Sequence, residues 1–153
     1  MTDENRIPRS ALILGLAGLL PFLWSALTTL SPALSALAAE WLSPMFLGGY
    51  VGMTYGTVIL SFMSGVLWGF ATKTEGREAA VAYTLSVIPA LWAFFMVSDA
   101  SETSRIFLAA GFVGLLLLDG TFQAWGLAPR WWLRLRVMLT VVVLGCLAIP
   151  LGV

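Results

Sequence analysis

The sequence predicts an all-α integral membrane protein, a bundle of five transmembrane helices. Three observations lead there. Five apolar stretches fill nearly all of the 153 residues. The chain is 59% hydrophobic and 10% charged, whereas a soluble domain averages about 45–50% apolar and about 25% charged. Its mean hydropathy is +0.93. A helix rises about 1.5 Å per residue, so about 20 apolar residues cross about 30 Å of hydrocarbon. Lipid cannot satisfy exposed backbone groups, so such segments form helices.

The expected spans are residues 11–30, 45–70, 80–97, 106–126 and 131–153. They leave no length for a separate soluble domain, so residues 1–153 read as one unit. The first apolar run exceeds the about 7–15 residues of a signal-peptide core and reads as a retained helix. Asp3 and Glu4 argue against a mitochondrial transit peptide, which is poor in acidic residues. Between spans one and two, prolines bracket an Ala/Leu segment carrying Glu40 and Trp41. A short interfacial helix is expected there, anchored by Trp41.

Span two reads as the centre of the bundle. Gly48, Gly52 and Gly56 recur every fourth residue, and Ser61, Gly65 and Gly69 do so after a one-residue shift. Small residues at that spacing let helix backbones approach closely. The shift predicts that the two halves of the span meet different neighbours. Pro21, Pro89 and Pro150 fall within spans one, three and five. Each removes a helical hydrogen bond and can kink its helix.

Charge sets the orientation. Arg6, Arg9, Lys73, Arg77, Arg130, Arg134 and Arg136 fall on one side, and Arg105 alone on the other. Short loops rich in Lys and Arg stay cytoplasmic. The expectation is an N-terminus in the cytoplasm and a C-terminus outside, with the Trp131–Trp132 pair at the inner interface.

The net charge is zero, which gives no basic surface for nucleic acid. Histidine is absent and Cys146 is the single cysteine. The usual ligands for zinc, haem and iron–sulfur clusters are therefore missing, and neither cofactor nor metal is expected. No nucleophile–base pair is visible, so the chain reads as no enzyme.

Asp119 is the acidic residue inside a span. An aspartate at that depth costs about 2.5–3.5 kcal/mol on insertion scales. Spans four and five form a tight hairpin around Leu127 and Ala128. Asp119 lies eight residues before Leu127, and Arg136 eight after Ala128. Both therefore sit roughly 12 Å from the turn, which predicts an ion pair at a common depth. Arg134 is the alternative partner, and Gln123 is placed to donate to the carboxylate. The pair reads either as a device fixing hairpin register, as a protonatable group on a proton or ligand path, or as a contact with a partner subunit. Tyr55, Thr57, Ser61 and Ser64 on span two are the candidates for a small polar pocket opposite it.

Three motifs carry a resemblance. L-G-x-A-G-L-x-P-F runs from Leu14 to Phe22, Y-G-x-x-I-L-S-F-x-x-G-x-x-W-G from Tyr55 to Gly69, and L-R-x-x-L-T from Leu135 to Thr140. Together they resemble the domain-of-unknown-function 3429 family, the transmembrane-protein-69-like proteins. Relatives often hold a polar or basic residue just before the span-two tryptophan, where this chain has Leu67 before Trp68. The resemblance implies a small multi-pass protein of the bacterial inner (cytoplasmic) membrane with no established catalytic activity.

Two functions fit these features. One is a non-catalytic accessory or assembly subunit of a larger membrane complex, respiratory or photosynthetic, which the small-residue faces would serve. The other is a small-molecule or lipid binder, or a proton-linked transporter, using Asp119. Both place the chain in contact with the lipid bilayer, and the first adds membrane-protein partner subunits.

Overall fold

The computed structural model describes residues 5–151. Among them the ordered elements are helical. They are α1 (Arg9–Ala17), α2 (Leu20–Leu30), α3 (Pro32–Ala39), a 3-10 turn (Pro44–Phe46), α4 (Gly48–Ala71), α5 (Gly76–Met96), α6 (Glu102–Ala124) and α7 (Trp132–Leu147).

Four segments have the length and apolarity to cross a bilayer: Arg9–Leu30, Gly48–Ala71, Gly76–Met96 and Glu102–Ala124. The fifth apolar stretch departs from expectation. Its helix, α7, has 16 residues, about 24 Å long. It stops at Leu147, ahead of Pro150, and residues 148–151 are not helical. Residues 152 and 153 of the expected span, like Asp3 and Glu4, lie outside the described residues.

The first span is broken. Pro21 lacks an N–H and cannot bond back to Ala17, so the α-helical ladder fails and the chain turns through Gly18 and Leu19. The two pieces then differ in their main neighbours. α2 packs chiefly against α4 and also touches α7, while α1 leans on α7 alone among the main contacts. A polar clasp fixes the far end of α2. Trp24 Nε1 donates to the Phe46 carbonyl at 2.7 Å, and the Ser25 hydroxyl donates to the Gly48 carbonyl at 2.9 Å. The Gly48 N–H donates to Thr28 Oγ1 at 2.9 Å. Gly48 has φ +58°, a left-handed conformation that glycine adopts freely. The short helix expected between the first two spans is α3, capped by Ser31, whose Oγ accepts from the Leu34 N–H. Trp41 beyond it is 83% exposed.

α4 packs against α2, α5 and α6. Its buried residues include Gly52, Gly56, Leu60, Met63, Ser64 and Leu67, the three-and-four spacing of one helical face. The two small-residue stripes part company, but the expected packing role is corrected: Gly52 and Gly56 meet neighbours, whereas Gly48 and the second stripe pack against none, because the one-residue shift turns that stripe out of the bundle. Gly52 meets Ser25, and Gly56 meets Leu108 and Phe22. Ser61, Gly65 and Gly69 face outward, and a Cβ at Gly65 or Gly69 would touch nothing within 4 Å.

α5 turns small residues inward: Ala82, Ser86, Pro89 and Ala93. This lets its backbone lie close to α4. Pro89 interrupts its hydrogen-bond ladder, and Ser64 of α4 enters there. The Ser64 hydroxyl donates to the Ser86 carbonyl, and its oxygen accepts from the Ala90 N–H at 3.3 Å. A serine thus bridges the Ser86 carbonyl and the Ala90 amide beside the proline. Leu67, one turn further along α4, is completely buried, so an apolar side chain suits that position here.

α6 begins on an exposed polar cap. Asp99 Oδ1 accepts from the hydroxyls of Ser101 and Ser104, both at 2.6 Å. Those bonds hold the Asp99 carboxyl below its ordinary value of 3.8. A depressed acid stabilises the fold above its unfolded value and loses that contribution as pH falls through the folded value. The cap is therefore expected intact at neutral pH and released only below about pH 4. The protection factor of the Ser101 amide, which donates to Asp99 Oδ1, should fall in that window as pH is lowered and should not change with pH in Asp99→Asn.

α6 ends at Gly126 with φ +74°. Leu127 N–H donates to Phe122 O at 2.9 Å and Gly126 N–H to Gln123 O at 2.9 Å, the pair of bonds that closes a Schellman C-cap. The chain then reverses into α7, which runs antiparallel beside α6. At the other end of this hairpin Arg105 pairs with Glu102 at 2.6 Å and donates to the Leu147 carbonyl, the last of α7. A cation at a helix C-terminus stabilises its unpaired carbonyls.

Candidate functional site

The divergence of α1 from α4 leaves a cleft of about 370 Å³ between α1, α4, α6 and α7. Its walls are apolar: Leu14 and Gly15 of α1, Phe22 of α2, Ile59 and Met63 of α4, Phe112 of α6 and Leu139 of α7. Phe22 stands edge-on to both Tyr55 and Phe112, with ring centroids 5.3 and 5.9 Å apart. Leu14 and Phe62, both strongly exposed, form its outer lip.

The floor is polar and comes from α7. Arg136 and Thr140, four residues apart, share one face. Arg136 Nε donates to Asp119 Oδ2 at 2.8 Å. Trp132 Nε1, one turn earlier, donates to Asp119 Oδ1 at 2.7 Å. Asp119 is fully buried, with both oxygens engaged, and is not among the cleft's lining residues. Phe70 packs edge-on against Trp132 with centroids 5.2 Å apart, holding the indole in place. Arg136 Nη2 and the Thr140 hydroxyl are buried and have no hydrogen-bond partner among the described residues.

Three expectations are corrected here. Gln123 does not donate to Asp119. Its Oε1 accepts from the Leu133 N–H at 2.9 Å, serving one of the unpaired amides that open α7. Arg134 donates to the Asn5 carbonyl at 2.8 Å and not to Asp119. The span-two residues do not make one pocket. Thr57 and Ser61 donate to carbonyls of their own helix, Ser64 is buried against α5, and only Tyr55 reaches the cleft.

The family model described as "Protein of unknown function (DUF3429)" matches residues 7–152. The chain belongs to the DUF3429 family. Transmembrane protein 69 of Xenopus tropicalis is similar to it, 31% identical over 139 residues that cover 88% of this chain and 51% of that protein. Transmembrane protein 69 of Mus musculus is 27% identical over 139 residues, covering 88% and 52%. The chain thus spans about half the length of the curated relatives it matches. No solved structure matches it.

In this DUF3429 protein the three motifs quoted above converge. Each lines the cleft: Leu14 to Phe22, Tyr55 to Met63, and Leu135 to Thr140. Sequence reasoning missed Thr140 and the indole of Trp132. Both were legible in principle, because residues 132, 136 and 140 repeat every fourth position. Trp132 is expected to matter energetically as well as sterically. Trp132→Phe keeps the ring and removes one donor to a buried carboxylate. A loss of about 0.6–1.7 kcal/mol is expected, the range for interhelical hydrogen bonds in membranes, read from reversible unfolding in mixed micelles.

Proposed function

We propose that this DUF3429 protein is a non-catalytic membrane protein whose cleft holds an apolar molecule taken from the surrounding lipid. The observation that carries this reading is the cleft itself, apolar in its walls and open beside Leu14 and Phe62. Its volume lies in the about 300–1,000 Å³ range of small-molecule sites, which are mostly apolar with a few placed polar groups. Asp119 then has a supporting role. It orients and neutralises Arg136 rather than carrying protons, since both its oxygens are engaged and the cleft is lined by Arg136.

In this reading the chain crosses the bacterial inner membrane five times, N-terminus inside. The course of α7 favours the fifth crossing: it starts beside Asp119 and ends against Arg105, at the opposite end of α6. The test is mild extraction from the native membrane into nanodiscs, followed by mass spectrometry of bound small molecules. A defined apolar compound retained by the native chain and lost from Ile59→Trp, which fills the cleft, is expected. Equal, unselective lipid in both would overturn it.

A second reading, an accessory subunit of a larger complex, is favoured by the outward Ser61, Gly65 and Gly69, which leave room for another helix. It predicts that the same extraction yields a stoichiometric protein partner, cross-linked through Gly65→Cys. Extraction without such a partner counts against it.

A further inference from the structure

The cleft's polar floor narrows the chemistry of what it holds. We infer that the occupant presents a neutral carbonyl oxygen to Arg136 Nη2 and the Thr140 hydroxyl. This inference rests on the reading of the cleft as a binding site.

Three observations carry it. First, Arg136 and Thr140 line the same cleft, are 6% and 1% exposed, and each holds a polar atom with no partner among the described residues. Buried polar groups in native structures are nearly always paired, so two orphaned donors one turn apart on α7, in residues that line the cleft, point to a missing acceptor. Second, both atoms are donors. A guanidinium has no acceptor, and a threonine hydroxyl donates to an oxygen brought up beside it. Third, the charge is already balanced. Arg136 lies 2.8 Å from Asp119, so a second full anion would leave net negative charge at a site walled by Phe22, Phe112 and Leu139. A neutral carbonyl supplies two lone pairs and adds no charge.

The apolar walls require the rest of the molecule to be hydrocarbon. Two membrane constituents combine those features, the acyl ester of a glycerolipid and the ring carbonyl of an alkyl quinone. Their shared chemistry is an uncharged carbonyl on an apolar body.

The experiment uses the full chain in nanodiscs of diether phospholipid, whose matrix contains no ester carbonyl. Three probes are titrated, each followed by native mass spectrometry. They are a decyl-benzoquinone, a diester diacylglycerol and decylbenzene, the last an apolar body without the carbonyl. The infrared carbonyl stretch of the first two, labelled with carbon-13, is read in parallel.

Saturable binding of one carbonyl probe with a lowered carbonyl frequency is expected. Thr140→Val, close in shape but without the hydroxyl, should weaken that probe by about 3–10-fold, one ordinary hydrogen bond. The decylbenzene should not respond to the substitution. The probe that saturates tells ester from quinone. Decylbenzene binding as tightly as both carbonyl probes, with Thr140→Val indifferent, would overturn the inference and leave the cleft a binding site. A fatty-acid anion displacing both carbonyl probes would overturn the charge argument. If no probe saturates, the reading of the cleft fails with the inference.

Discussion

Asp119→Ala is expected to lower stability by about 3–5 kcal/mol, the cost of leaving a buried partner charge uncompensated. Arg136 would stay buried without the carboxylate that now lies 2.8 Å away. The Trp132 Nε1–H would lose its acceptor as well. The pair itself is not expected to contribute that much. Replacing both partners with apolar residues of similar volume is often neutral or stabilising. Asp119→Leu combined with Arg136→Met should therefore recover most of the loss while abolishing retention of a carbonyl probe. Reversible unfolding of the three chains in mixed micelles gives the comparison. A single substitution as stable as the native chain would show that the pair does not hold the α6–α7 hairpin.

The second large effect lies at the α2–α4 seam. A Cβ placed on Gly52 would stand 2.5 Å from Ser25 Oγ and 3.0 Å from Ser25 Cβ. Ser25 cannot simply swing aside, because its hydroxyl is donated to the Gly48 carbonyl. Gly52→Val is expected to cost about 1–3 kcal/mol, the range for overfilling a packed contact. The outer stripe should behave in the opposite sense. Gly65→Ala and Gly69→Ala meet nothing within 4 Å, and alanine exceeds glycine in helix propensity by about 0.8–1.0 kcal/mol. Each is expected to be neutral or stabilising in the isolated chain. Destabilisation at Gly65 in the purified protein would mean that this face is covered there.

Much of the helical layout could be read from composition and spacing, because lipid restricts the backbone so severely. α4, α5 and α6 fall within a few residues of their expected limits. The central place of span two follows in part from Gly52 and Gly56, which admit α2 and α6 at close range. The depth argument that pairs Asp119 with Arg136 needs nothing beyond a helix rise and a short turn.

What escaped the sequence depends on rotation about helix axes. Gln123 and Asp119 are one turn apart, yet the Gln123 side chain turns to the first amides of α7. Ser64 and Ser61 are three residues apart, yet one enters α5 while the other faces outward. The cleft was invisible for a related reason. It is made by the divergence of α1 from α4, and Pro21 marks where the first helix breaks without giving its new direction. The length of α7 was also overestimated, because Pro150 ends the apolar run as helix while leaving it apolar.

That break has a mechanical consequence. The first apolar run meets the rest of the protein through two sets of contacts, one at each piece. α2 is pinned by Trp24, Ser25 and Thr28 to the start of α4. α1 rests on the Leu135 and Leu139 side chains of α7 through Gly15. Gly18 and Leu19 between them mark where the run passes from one set of contacts to the other. Gly15 lines the cleft, and Gly52 lies apart from it at the α2–α4 seam. Selection, or an engineer working at Gly15, can retune what enters without loosening the seam at Gly52.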